Sequence, residues 1–294
     1  MKFILPLSFV PLAELTELAR AAEAHGWEGV SLSDHVVHPE RIESPYPYTE
    51  DAKPRFEADA VWPDPLVAFG AMAAVTERLR FVTMIYVLPM RNPFLVAKSV
   101  GTLAALSGGR VDLGLGVGWM REEFELLGQE FRDRGRRTDE MIEVMRALWT
   151  GETVAHNGRF YDFEPLHMAP APPEPVPILV GGLSKPALRR AARLGDGWIS
   201  ELHTTAELGE LIGRLREERV ACGRGDEPFR ILAACSDAYH LDGFRRIEEA
   251  GATHALMVPW LLYGKDHSLG AKCDAVRRFG DEVVAKLDRD PRGS

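Results

Sequence analysis

The sequence predicts an α/β chain closed as a (β/α)8 TIM barrel, and three observations carry that prediction. Short apolar, β-branched runs alternate with segments of helical period along the whole chain, as expected of parallel strands joined by crossover helices. Eight strand-helix pairs can be read in this way. The 294 residues modestly exceed the roughly 250 typical of that barrel, so residues 1–294 read as one domain. An open doubly wound sheet is the runner-up.

The first strand spans Phe3 to Phe9, and a helix from Pro11 places Leu12, Leu15, Leu18, Ala19 and Ala22 on one face before Gly26. A second strand, Gly29 to Ser33, stops at "DHVVHPE". After an irregular, aromatic insertion from Val36 to Trp62, Asp64 can cap a helix with Pro65 at its first position, where proline's missing N–H costs nothing. Then come strand Leu79 to Leu88, a helix through Val96, Val100 and Leu103, and strand Arg110 to Gly116. The helix through Met141, Val144, Met145 and Leu148 has the spacing of a single buried face and ends at Gly151. A second insertion, Glu152 to Pro175, precedes the fifth strand; both insertions are expected at the barrel rim.

The second half repeats the rhythm. "PILVGG" leads to a helix from Lys185. "GDGWIS" leads to a helix opened by Thr204 and Glu207 at capping-box spacing. "FRILAAC" precedes a helix with Phe244 and Ile247, and "THALMV" precedes one through Val276, Phe279, Val283 and Leu287.

Composition narrows the function classes. With 35 Lys+Arg against 44 Asp+Glu the net charge is −9, and no basic block dominates, which argues against nucleic acid as a partner. Three widely spaced cysteines form neither a disulfide framework nor a C-x-x-C site, so a reducing compartment is expected. The start "MKFILPLSFVPLA" has the charge-then-apolar order of a secretory signal, but it carries two prolines and no small-x-small cleavage site. No run approaches the roughly 20 apolar residues of a membrane span. The expectation is a cytoplasmic protein with no membrane partner.

In a parallel barrel the chemistry sits at the carboxyl ends of the strands, which is where Asp34 and His35 fall. The long aromatic insertion behind them suits a cover over a ligand. A metal site would need partners for Asp34, His35 and His38, and only His203 is offered at another strand end, so metal is not expected. "DLGLGVGWM" places Gly114, Gly116 and Gly118 after a strand at G-x-G-x-G spacing, which is not a dinucleotide fingerprint; it suits a flat ligand or close packing. "VGGLSK" frees backbone N–H groups at Gly181 and Gly182 just before a helix capped by Ser184, a phosphate cradle. Arg189, Arg190 and Arg193 on that helix read as a solvated face.

Together "SDHVVHPE", "YPY", "DPLVAFGAMAAVTERLRF", "VLPMRNPFLVAKSVGTLAALSGGRVDLGLGVGWMREEFELLG", "RALWTGE", "GRFYDF", "PILVGG" and "ARLGDGW" resemble the luciferase-like flavin and deazaflavin oxidoreductases, especially their coenzyme F420-dependent branch. The resemblance runs from about Phe3 to Ser200 and implies the same barrel. It implies that Asp34 contacts the deazaflavin and that His35 is the base toward an alcohol, with hydride passing between a small-molecule substrate and the cofactor. It further implies a non-prolyl cis peptide at Met84-Ile85 against the ring, Gly116, Val117 and Gly118 beside the cofactor, and Val180, Gly181 and Gly182 at its phosphate. FMN is the alternative cofactor, in a monooxygenase, and a homodimer is the family habit. Where sugar-phosphate dehydrogenases of the family carry an acidic proton donor, this chain has Trp119, which leaves open the role of Glu122 or Glu123. Tyr46, Tyr48, Phe56, Trp62, Tyr86, Trp119 and Trp260 are candidates for an apolar pocket.

Overall fold

The computed structural model describes residues 1–54 and 56–288. Eight parallel strands close on themselves: β1 (Lys2–Pro6), β2 (Gly29–Leu32), β3 (Arg80–Thr83), β4 (Val111–Gly116), β5 (Ile178–Gly181), β6 (Gly197–His203), β7 (Arg230–Cys235) and β8 (His254–Leu256). Each pairs with the next, and β8 returns to β1 through Lys2↔His254, Phe3↔Ala255 and Ile4↔Leu256. Around them lie α1 (Leu15–Ala24), α2 (Pro65–Ala73), α3 (Pro93–Ser107), α4 (Arg134–Leu148), α5 (Lys185–Leu194), α6 (Thr205–Ala221), α7 (Leu241–Ala250) and α8 (Leu269–Phe279). This is the predicted (β/α)8 barrel.

Two packing layers hold it. Inside, Ile4, Val82, Leu179, Ile199 and Leu232 form a separate buried cluster. Four of these five come from β1, β3, β5 and β7, so alternate strands fill one interior layer, as the tilt of such a barrel requires. Between strands and helices runs the main core, where Phe3 meets Trp27, Phe244 and Phe279 edge-on at centroid distances of 6.2, 5.0 and 5.3 Å.

The helix starts expected from sequence are formed. Asp64 accepts from the N–H groups of Leu66 and Val67, Ser184 from Ala187, and Thr204 with Glu207 makes a reciprocal capping box. The first helix differs: Leu12–Glu14 is a 3-10 turn and the α-helix begins at Leu15, because Leu12, 56% exposed, has no core to reach. The third strand is interrupted at Met84-Ile85, whose bond is cis where the resemblance put it, and resumes as Tyr86–Val87 beside Leu115 and Gly116. The last helix passes through a π-helical turn, Gly280–Val284, before continuing over Ala285–Asp288.

The two insertions behave differently. Residues 36–54 and 56–62 stay irregular and follow β2 at the mouth of the barrel. The second instead builds an antiparallel hairpin, Thr153–Asn157 with Asp162–His167. Since it leaves a helix rather than a strand, it packs along the outside: Phe163 lies against Phe94 of α3, and Glu140 of α4 accepts from the N–H groups of Arg159, Phe160 and Tyr161.

Candidate active site

β2 ends at Leu32 and delivers Asp34 and His35 to the mouth, where their side chains part. Asp34 turns inward and is 3% exposed. Its Oδ2 accepts from Arg91 Nη1 at 2.7 Å and from the Val87 N–H at 2.9 Å, while Oδ1 accepts from Arg91 Nη2 at 2.7 Å. Burial pushes the Asp34 carboxyl up, against the opposing pull of Arg91 and the Val87 N–H. Burial also works against the Arg91 charge, but Asp34 more than offsets it, so the guanidinium is held above its ordinary value. The arrangement clamps the backbone just beyond the cis bond. Arg91 was not anticipated from sequence.

His35 faces the other way. Its Nδ1 lies 2.9 Å from Glu123 Oε2, and Glu123 Oε1 accepts from the N–H groups of Val36 at 2.5 Å and Val37 at 3.2 Å. Glu123, on the short helix Arg121–Leu126 after β4, is 1% exposed. A carboxylate only accepts, so Nδ1 donates to Glu123 and Nε2 is the ring nitrogen left for other contacts. That nitrogen has no hydrogen-bond partner among the described residues. Neighbouring Glu122 has another task, accepting from the N–H groups of Glu43 and Ser44 to fasten the insertion.

Aromatic rings wall in the imidazole: Trp62 at 4.8 Å, Phe56 at 5.2 Å and Trp119 at 6.2 Å between centroids, with Tyr46 on Trp119 at 5.0 Å. Phe9 joins them, 4.9 Å from Trp62, with a φ of 66° that is rare for a bulky residue. Two candidate pocket residues lie elsewhere. Tyr86 is buried in the core beneath Arg91, 4.1 Å from its guanidinium, and Trp260 is also a core residue. Burial pushes the Tyr48 hydroxyl up to about 12.

The glycines of β4 and β5 let the third strand approach. A Cβ at Gly114 would collide with the Thr83 carbonyl oxygen, one at Gly116 with Ile85 Cδ1, and one at Gly181 would lie 2.7 Å from Ile85 Cγ2. Gly118, at φ 77°, packs against Val87 and Phe124. Ile85 therefore fills the space between Gly116 and Gly181. Next to it, Gly182 (φ 114°) opens the turn into α5, and its N–H and those of Leu183, Ser184 and Lys185 meet no acceptor among the described residues. Val117 and Val180 lie in the same region, Val180 buried on β5.

His38 packs its ring on Phe56 at 5.9 Å, and its buried Nδ1 has no partner; His203 Nε2 is likewise buried and unpartnered. Among the described residues no group of three or more His, Cys, Asp or Glu side chains is placed to hold a metal ion, and no helix is long and apolar enough to cross a membrane.

A (β/α)8 barrel that holds His35 at its mouth and a glycine-lined turn before α5 fits an enzyme of the luciferase-like class. The family model for luciferase-like monooxygenases matches residues 5–258, and the chain belongs to that family. It is 40% identical over 273 residues, 92% of this chain and 94% of the other, to an uncharacterized protein of Mycobacterium tuberculosis. It is 29% identical over 242 residues to an F420-dependent glucose-6-phosphate dehydrogenase of Nakamurella multipartita, covering 81% of this chain and 67% of that one. The structure of a coenzyme F420-dependent tetrahydromethanopterin reductase from Methanopyrus kandleri superposes with a TM-score of 0.75 at 14% identity, covering 97% and 99% of the two chains.

Proposed function

We propose that the chain is an F420-dependent oxidoreductase that moves a hydride between the deazaflavin and a small, uncharged alcohol or carbonyl compound. The observation that carries this reading is the His35–Glu123 pair, which presents an imidazole lone pair inside an aromatic wall. The residues fit such a cofactor: the N–H groups of Gly182 to Lys185 meet no acceptor among the described residues, and a Cβ at Gly182 would come within 3.0 Å of Ala187, so only glycine leaves that turn open. Met84 and Ile85 would back the ring and Gly182 to Lys185 would hold the phosphate. Bound there, a deazaflavin supplies a two-electron hydride acceptor or donor. His35 would take the hydroxyl proton at Nε2 or return it to a carbonyl oxygen, and Glu123 would hold the ring in the tautomer that permits this. Phe56, Trp62 and Trp119 would exclude water and favour an apolar substrate over a sugar phosphate.

The second reading is an FMN-dependent monooxygenase, favoured by the family's description. Fluorescence titration with each cofactor separates the two. Quenching at micromolar F420 and none with FMN is expected; the reverse overturns the assignment. His35→Ala should then keep cofactor affinity and lose turnover of simple secondary alcohols or ketones.

A further inference from the structure

Phe9 occupies a place that neither backbone preference nor burial explains. The Val10 N–H donates to the Leu7 carbonyl at 3.3 Å, so residues 7–10 form a tight turn directly beyond β1. Phe9 holds the third position of that turn at φ 66°, left-handed backbone that suits glycine and strains a bulky side chain. Its ring is also 50% exposed, whereas Leu7 and Val10 are buried in the core. A smaller or more polar residue would cost the fold less at this point.

What the position achieves is placement. The Leu7 N–H donates to the Ser31 carbonyl at 2.8 Å and the Ser33 N–H to Ser8 Oγ at 3.2 Å. The turn is thereby fixed to the end of β2, just before Asp34 and His35. From there the Phe9 ring meets Trp62 edge-on at 4.9 Å and stacks on Phe56 at 6.5 Å, and Trp62 in turn meets His35 at 4.8 Å. His35, Trp62 and Phe9 thus follow one another, ring to ring, from the largely enclosed imidazole out to solvent. The border of this track is apolar too: Val36 and Val37 after His35, and Val61 before Trp62, are each exposed by about two-fifths.

We propose that Phe9 determines specificity in the outer part of the substrate site, and that the substrate is an alcohol, or the matching carbonyl compound, whose hydrocarbon body runs from His35 past Trp62 to the Phe9 ring. The proposal rests on the reading of His35 as the base toward an alcohol given above. In that reaction the carbon gives its hydride to the deazaflavin and the hydroxyl its proton to His35; the hydrocarbon body is not altered. Its part is binding, since each methylene that leaves water for the track adds a similar increment of affinity. A substrate with no more than a methyl group beyond the reacting carbon leaves Phe9 in water, and the strained turn then serves nothing.

The test is the Kd of isopropanol, sec-butanol and sec-octyl alcohol, read from tryptophan fluorescence of the purified chain alone and with F420, with reduction of F420 followed in the same samples. Affinity should rise about twofold to fourfold for each added methylene. Phe9→Gly removes the ring and relieves the turn, so its urea midpoint should stay near that of the parent while the preference for sec-octyl alcohol over isopropanol falls about tenfold. Phe9→Leu, which keeps apolar bulk, should retain most of that preference. Equal affinity along the series, no binding of any member, or a Phe9→Gly variant with the parent's preference overturns the proposal. Graded binding that depends on Phe9, with no reduction of F420, overturns the cofactor reading and leaves the track standing.

Discussion

Glu123 divides its carboxylate between a ring and a backbone: Oε2 sits 2.9 Å from His35 Nδ1, and Oε1 accepts the Val36 N–H at 2.5 Å. One buried group thus sets both the tautomer of the histidine and the path of the chain leaving it. It comes from the short helix after β4, two strands around the barrel and 88 residues along the chain.

Glu123→Gln separates these two tasks. An amide has one acceptor, which the Val36 and Val37 N–H groups require, so its NH2 is left facing Nδ1. The ring should then switch to the Nε2–H tautomer, readable from the imidazole ¹⁵N shifts, and turnover should fall by about 10²–10⁴. Retention of the Nδ1–H tautomer would sink the argument. Glu123→Ala also leaves the backbone donors unpaired and should cost about 2–4 kcal/mol in urea unfolding.

The Asp34–Arg91 pair is buried, bidentate and tied to the Val87 N–H. Removing one partner strands the other, so Asp34→Asn or Arg91→Met should each cost about 3–5 kcal/mol. The double variant should cost clearly less than the sum, since no lone charge remains buried. Additive losses would mean that the two groups act separately.

Much of the barrel was legible because its signals are local. Alternating strand and helix periods, Asp64 before Pro65, and Thr204 with Glu207 all act within a few residues. Asp34 and His35 stood out as polar residues ending an apolar run. Their partners did not, because Arg91 and Glu123 lie 57 and 88 residues away and only barrel closure brings them near. Arg91 left a faint trace as a lone charge within "VLPMRNPF". The hairpin at Thr153–His167 was hidden for another reason: it is short, half-exposed and rich in polar residues, so its alternation hardly differs from a loop.

Glycines that look alike in sequence should respond differently to alanine. At Gly114 the new Cβ meets the backbone oxygen of Thr83, which cannot move without breaking the sheet, so a loss of about 3 kcal/mol is expected. Gly116→Ala meets only the end of the Ile85 side chain, and about 1–2 kcal/mol should suffice. Gly209, inside α6 with nothing within 4 Å, should gain about 0.5–1 kcal/mol. Thermal or urea unfolding of the three variants gives the order, and equal effects would contradict it.

Finally, His254 at the start of β8 makes stability depend on pH. Its ring is 7% exposed and lies 2.7 Å from Thr253 Oγ1. Burial lowers it from 6.5 to about 4, with Glu28 and Asp112 opposing and Arg230 and Lys2 adding to the effect. Because the folded value is depressed, the folded ring stays neutral while the unfolded one takes a proton as pH falls below 6.5. Stability is therefore complete above pH 6.5, is lost as pH falls, and has lost this whole contribution below about 4. Each unit in that window is worth about 1.4 kcal/mol, so roughly 2 kcal/mol should go between pH 6.5 and 5, before most carboxylates titrate. Urea unfolding of the parent and of His254→Gln across that range isolates the term. The variant should lose about 2 kcal/mol less than the parent, and parallel curves would show that the proton enters elsewhere.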